Sequence, residues 1–100
     1  MTDKNKQSWI NKIVGHADVA PDQLMAHPEN WRIHPRFQQE ALKGMIADVG
    51  YIRSVTVSQR TGHVLDGHLR VMLAMRDGEP TIPVEYVDLT EDEEKLALLS

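Results

Sequence analysis

The chain has 100 residues, of which 41% are hydrophobic and 26% charged, so it can fold around one core. It has no cysteine, which excludes disulfides, thiolate metal sites and a cysteine nucleophile. Its net charge is −4, and no apolar run approaches the roughly 20 residues that a membrane-spanning helix needs. We therefore predict a cytoplasmic protein that is not itself a strong nucleic-acid binder.

The charges are unevenly distributed. Residues 30–76 contain seven basic and three acidic residues, whereas residues 77–100 contain eight acidic residues and one lysine. The middle of the chain could therefore attract an anion that the acidic part would repel. For the acidic part we favour the simpler interpretation of a solvated helix start.

The first predicted elements follow a flexible N-terminal tail, residues 1–12. Weak alternation over residues 15–20 predicts a strand, and the Pro-Asp pair that follows it predicts a turn or a short helix. Residues 27–35 contain two prolines and many polar side chains, so they form either a binding loop or a hydrated connector. Pro35 is expected to open the next helix.

That helix has the strongest periodicity in the chain and ends at Gly50. Apolar residues recur at every fourth position on one face, which we predict to be core: Phe37, Ala41, Met45 and Val49. A hairpin then follows, with strands over residues 55–58 and 63–65 joined by a turn that ends at Gly62. A second helix is predicted from Gly67 onwards.

The remainder predicts a strand and a helix. Alternation over residues 81–88 indicates a strand, and Pro83 indicates that it lies near a sheet edge or that Pro83 is at its start. Thr90 and Glu93 form a capping box that begins the last helix. The apolar pattern of this helix is incomplete at Ser100, so we expect a truncated helix or one that continues into a further domain.

The junction at Gly67 suits an anion. Glycine permits a tight turn or the close approach of a ligand, and a helix that begins there presents N–H groups and a positive dipole end. Arg70 is a cation placed against that dipole, and a phosphate would explain its position. His68 could donate to the phosphate or act as a general acid or base. Asp66 could bind Mg²⁺, but we favour a helix cap.

Simpler interpretations stay open beside this one. Strand–glycine–helix turns occur in many folds that bind nothing there, with an arginine such as Arg70 on the surface and a histidine such as His68 bonded to the backbone. The sequence shows no compact carboxylate cluster and no His/Asp pair at helical spacing, so we predict no metal site. The element order β-α-β-β-α-β-α over residues 13–100 predicts an α+β domain with a small mixed sheet.

Several segments occur in a characteristic order: Leu24 to Pro28, Asn30-x-Arg32-x-His34, Val49-Gly50, Asp66-Gly67-His68-x-Arg70, and Ile82-Pro83-Val84 before Val87 to Glu91. This ordered set resembles the ParB/sulfiredoxin superfamily. Within it, the set is most similar to the N-terminal ParB-like domains of phage and plasmid proteins, which are often called nucleases. The resemblance covers residues 14–99 and implies a ParB/sulfiredoxin-like fold.

The resemblance also implies a site and its ligands. Gly67, His68 and Arg70 would contact phosphate, together with Asn30 and Arg32 of the loop before the first long helix. It implies CTP or ATP with Mg²⁺ as the ligand, and DNA as a partner reached through a further domain or another protein. A homodimer is compatible with it. Only one arginine follows the glycine here, where partition proteins carry several.

Two other classes of function stay open. The first is an enzyme, a serine-kinase-like phosphotransferase or a nuclease, with His68 and Asp66 as catalytic residues. The second is an accessory domain that positions a partner through its acidic last helix. Sulfiredoxin activity is excluded, because His68 occupies the position of the catalytic cysteine and the chain has no cysteine.

Overall fold

The computed structural model describes residues 9–29 and 35–99. Its strands are β1 (Ile13–Val19), β2 (Met25–Ala26), β3 (Val55–Ser58), β4 (His63–Asp66) and β5 (Ile82–Val87). Its helices are α1 (Arg36–Val49), α2 (His68–Arg76) and α3 (Glu91–Leu99), and a 3-10 helix spans Pro21–Gln23. The predicted order is confirmed, with β2 as an additional strand. No helix in the described ranges is both long and apolar enough to cross a membrane.

The five strands form one mixed sheet in the order β1-β5-β3-β4-β2. Strands β3 and β4 form the predicted antiparallel hairpin, whereas β3 and β5 are parallel, as are β2 and β4. Strand β5 lies inside the sheet, so the prediction of an edge position for it is wrong. The alternative explanation of Pro83 holds, because Pro83 is the second residue of β5, opposite Asp18 of β1.

The core lies between the middle of the sheet and α2. Ile82, Val84 and Val55 are at most 1% exposed, because they occupy the buried face of the two parallel central strands. Val71 and Ala74 of α2 pack against them. This packing holds α2 against the sheet, and the start of α2 lies directly after the end of β4.

The prediction that the apolar face of α1 is core is wrong. Phe37 is 73% exposed and Val49 is 68% exposed, and α1 has no buried residue. The reason is that α1 packs mainly against α2 and does not lie across the sheet. Only the side of α1 that carries Met45 and Ile46 is half-buried.

The capping box at the start of α3 is confirmed. The Thr90 hydroxyl accepts the Glu93 N–H at 3.2 Å, and the Glu93 carboxylate accepts the Thr90 N–H at 2.9 Å. The hydrogen bond from the Thr90 backbone lowers the pKa of the Glu93 carboxyl. Helix α3 packs against β4, which brings Glu94 under the hairpin.

Candidate functional site

Gly67 is the N-cap of α2 and has a φ of +98°, in the left-handed region that favours glycine. A Cβ atom at this position would lie 2.8 Å from the Arg70 Nη2 and 3.1 Å from a methyl group of Val55. The turn therefore requires glycine for its backbone conformation and for the space that Arg70 occupies. The first bond within the helix is Val71 N–H to Gly67 C=O, at 3.0 Å.

Arg70 lies back over this turn and is only 15% exposed. Its Nη2 donates to the Ser54 carbonyl at 3.3 Å and lies 3.7 Å from the Asp66 carboxylate. Its Nε is buried and has no hydrogen-bond partner among the described residues. A guanidinium has five N–H donors, so Arg70 retains capacity for an anion beside the positive end of α2.

Asp66 does not cap α2, so that prediction is wrong. Gly67 takes the N-cap position, and no side chain makes a capping hydrogen bond there. Asp66 is instead the last residue of β4, and its side chain is 63% exposed. Its carboxylate faces solvent next to Arg70, where a phosphate could compete with it for the guanidinium.

His68 connects the start of α2 to the segment before α1. Its Nε2 accepts the His27 backbone N–H at 3.3 Å, so this nitrogen carries no proton in this arrangement. The segment that would carry Asn30 and Arg32 follows soon after His27, but these two predicted site residues lie outside the described ranges. Four of the predicted site residues therefore lie together at the start of α2: Asp66, Gly67, His68 and Arg70. His27 lies beside them.

A cavity of about 270 Å³ adjoins Arg70, between α1 and the connector that follows it. Tyr51 and Arg53 contribute its polar groups, and side chains of α1 such as Met45 and Ile46 contribute its apolar wall. Burial raises the pKa of the Tyr51 hydroxyl, with a smaller effect from nearby carboxylates. Tyr51 is therefore a hydrogen-bond donor at neutral pH, and a second arginine shares the cavity with Arg70.

Sequence reasoning did not connect three residues that the fold brings together: His27, His63 and Glu94. They come from the end of β2, the start of β4 and helix α3. The nearest two are 31 positions apart in the printed sequence, between Glu94 and His63, and no local spacing marks the group. Only the sheet order and the packing of α3 reveal it.

No protein-family model and no curated protein sequence matches the chain. Solved structures match it in fold. One is the C-terminally truncated chromosome-partitioning protein ParB from Caulobacter crescentus complexed with CTP-gamma-S, with a TM-score of 0.70 and 19% identity. Another is a Pnob8-like ParB-N domain, with a TM-score of 0.68 and 15% identity.

Each match covers 86% of this chain, but only 52% of the Caulobacter chain and 35% of the Pnob8-like chain. The chain thus spans about half of one matched protein and about a third of the other. At these identities the comparison establishes the fold, which is that of a ParB N-terminal domain. The predicted ParB-like α+β fold is confirmed.

Proposed function

We propose that this domain binds a nucleotide through its phosphates at the start of α2 and belongs to a DNA-associated protein. The observation that carries the proposal is Arg70, a largely buried cation against the positive end of a helix dipole. Its Nε has no hydrogen-bond partner in the described structure. A polyanion at Gly67 would satisfy both the guanidinium and the helix N–H groups.

The cavity beside Arg70 supports a nucleotide over phosphate alone. Its volume of about 270 Å³ is close to the lower limit, about 300 Å³, of small-molecule pockets. A planar base would fit between Tyr51 and the apolar side of α1, with Arg53 near its polar edge. Asn30 and Arg32, from the loop before α1, remain proposed contacts. The Caulobacter ParB of the same fold was solved with CTP-gamma-S, so CTP is the first nucleotide to test.

The test is a thermal-shift and calorimetric panel of CTP, ATP, GTP and inorganic phosphate, each with and without Mg²⁺. We expect CTP to bind and to raise the melting temperature. A ligand at 100 times its Kd stabilises by about 2.7 kcal/mol, which is a rise of roughly 10–20 °C for a domain of this size. Phosphate alone should bind more weakly, because it leaves the cavity unfilled.

Arg70→Ala should abolish the nucleotide response. Arg76→Ala is the matched control, because Arg76 lies at the opposite end of α2 and is half-exposed. The melting temperature of each variant without ligand is measured first, since Arg70 also packs on the turn. Equal nucleotide affinities of the two variants, or no response to any nucleotide in the parent protein, would contradict the proposal.

No specific observation favours the alternative of a phosphotransferase or a nuclease. The Nε2 of His68 already accepts the His27 N–H, and the Asp66 carboxylate lies beside Arg70. DNA contact is proposed for a further domain or partner, because the net charge of this chain is −4. We therefore expect the chain alone to leave the gel mobility of a duplex unchanged at low salt. Retardation of the duplex at low salt would contradict the proposal that a further domain or partner contacts the DNA.

A further inference from the structure

The carboxylate of Glu94 is only 1% exposed, and among the described residues no Lys or Arg lies within 4 Å of it. Arg60 interacts with it electrostatically from farther away. Its Oε2 accepts the Ser58 hydroxyl at 2.8 Å, and the Thr61 hydroxyl lies 3.2 Å from both oxygens. Its ion-pair partners are two histidines, His27 and His63. A positive charge beside a buried carboxylate offsets the cost of its burial, and a metal cation between these side chains would supply that charge.

The two histidines converge on the same oxygen of Glu94. The His27 Nε2 lies 3.6 Å from Oε1, and the His63 Nδ1 lies 3.7 Å from it. Both separations are too long for hydrogen bonds, and the buried His63 Nδ1 has no hydrogen-bond partner among the described residues. Two ligand atoms about 2.05 Å from one tetrahedral ion are about 3.3 Å apart, so the observed spacing is close to that of a metal site.

We propose that His27, His63 and Glu94 bind a zinc ion that ties the end of β2, the start of β4 and α3 together. All three ligand atoms lie within 4.8 Å of one another, so an inward shift of less than about 1 Å brings them to zinc distances. Two imidazole nitrogens and one carboxylate oxygen are a donor set typical of Zn²⁺. The Ser58 and Thr61 hydroxyls would orient the carboxylate.

Zinc binding would change one hydrogen bond. The His27 Nδ1 now accepts the Glu29 N–H at 3.0 Å, which places the ring proton on Nε2. A zinc ion on Nε2 requires that proton to move to Nδ1, so the bond from Glu29 is lost. The loss of one such bond lowers the affinity by up to about tenfold, which a three-ligand zinc site tolerates. The backbone turn at residues 28–29 should loosen when zinc binds.

The test is a calorimetric titration of the chelator-treated protein with Zn²⁺, with Mg²⁺ as a second arm. We expect one zinc per chain and a higher melting temperature, and no comparable response to Mg²⁺, which prefers oxygen ligands. His63→Ala should lower the zinc affinity by at least about tenfold. His16→Ala is the matched control, because His16 is exposed on β1 and, within residues 9–29 and 35–99, its ion-pair contact is with Glu85 at 3.4 Å, away from the three proposed ligands.

Glu94→Gln keeps the volume but removes the charge, and its circular dichroism shows whether it folds. If it does not fold, the partly exposed His63 carries the test, together with nuclear magnetic resonance of the parent protein. Zinc should shift the ring signals of His63 and speed the hydrogen exchange of the Glu29 amide. Equal zinc affinities of His63→Ala and His16→Ala, or no stoichiometric binding by the parent protein, would overturn the proposal.

Discussion

The substitution Gly67→Ala tests the local structure on which the proposed anion site depends. At a φ of +98°, an alanine carries backbone strain of about 1–3 kcal/mol. Its Cβ would also lie 3.1 Å from a methyl group of Val55, which is fully buried, and 2.8 Å from the Arg70 guanidinium. Overpacking of a core adds about 1–3 kcal/mol, so we expect a total loss of about 2–6 kcal/mol.

Alanine substitutions at two other glycines separate the cost of backbone strain from the cost of steric contact. Gly78 has a φ of +71°, and a Cβ there would have no atom within 4 Å, so Gly78→Ala reports strain alone. Gly44 lies in α1 without positive φ and with open space around it, so Gly44→Ala should stabilise by about 0.5–1 kcal/mol. The difference between Gly67→Ala and Gly78→Ala measures the contact with Arg70 and Val55.

The assay is urea unfolding monitored by circular dichroism, with thermal melts in parallel. A loss of 1 kcal/mol corresponds to a fall of about 4–8 °C in melting temperature for a domain of this size. Gly67→Ala should therefore melt well below Gly78→Ala, and Gly44→Ala above the parent protein. If Gly67→Ala costs no more than Gly78→Ala, the contacts of the added Cβ atom with Val55 and Arg70 contribute nothing, and the close packing over the turn is refuted.

Further predictions concern the core and the capping box. Ile82→Ala should lower the free energy of unfolding by about 2–5 kcal/mol. Phe37→Ser, at an exposed position, should change it by less than about 0.5 kcal/mol. Equal losses for Phe37→Ser and Ile82→Ala in urea unfolding would contradict the placement of α1. Thr90→Ala should cost about 1 kcal/mol, and unchanged unfolding curves would contradict the cap. Because the pKa of Glu93 is lowered from its ordinary value of 4.5, its contribution is complete above that pH and is lost as the pH falls below it. Glu93→Gln should weaken this acid dependence in melts across that range, and an unchanged slope would refute the assignment.

Features encoded by neighbouring residues were predictable from the sequence. The hairpin of β3 and β4 follows from two β-branched or apolar runs around a glycine turn. The start of α3 follows from the spacing of Thr90 and Glu93 alone. In both cases the partner groups lie within a few positions in the chain, so a local pattern is sufficient evidence.

Features that depend on distant partners were not predictable. Strand β2 has two residues and exists only because Met25 and Ala26 pair with β4, so no run of residues marks it. The apolar face of α1 has the period of a core helix, but periodicity does not specify which surface covers it. The cluster of His27, His63 and Glu94 was not predictable for the same reason, since it depends on β2 lying beside β4 and on α3 lying under the hairpin.

The position of Asp66 at the end of β4 determines which residue begins α2. Asp66 pairs with Thr56 across the hairpin, next to a register shift, so β4 continues one residue further than its apolar run. The cap position then falls on Gly67, which takes the left-handed conformation that an aspartate would adopt only at a cost. The Asp66 carboxylate is consequently exposed and 3.7 Å from Arg70. Water screens the exposed Asp66 carboxylate, and its separation of 3.7 Å from the guanidinium is too long for a hydrogen bond. We therefore expect that a phosphate with several oxygens could displace the carboxylate without loss of the turn.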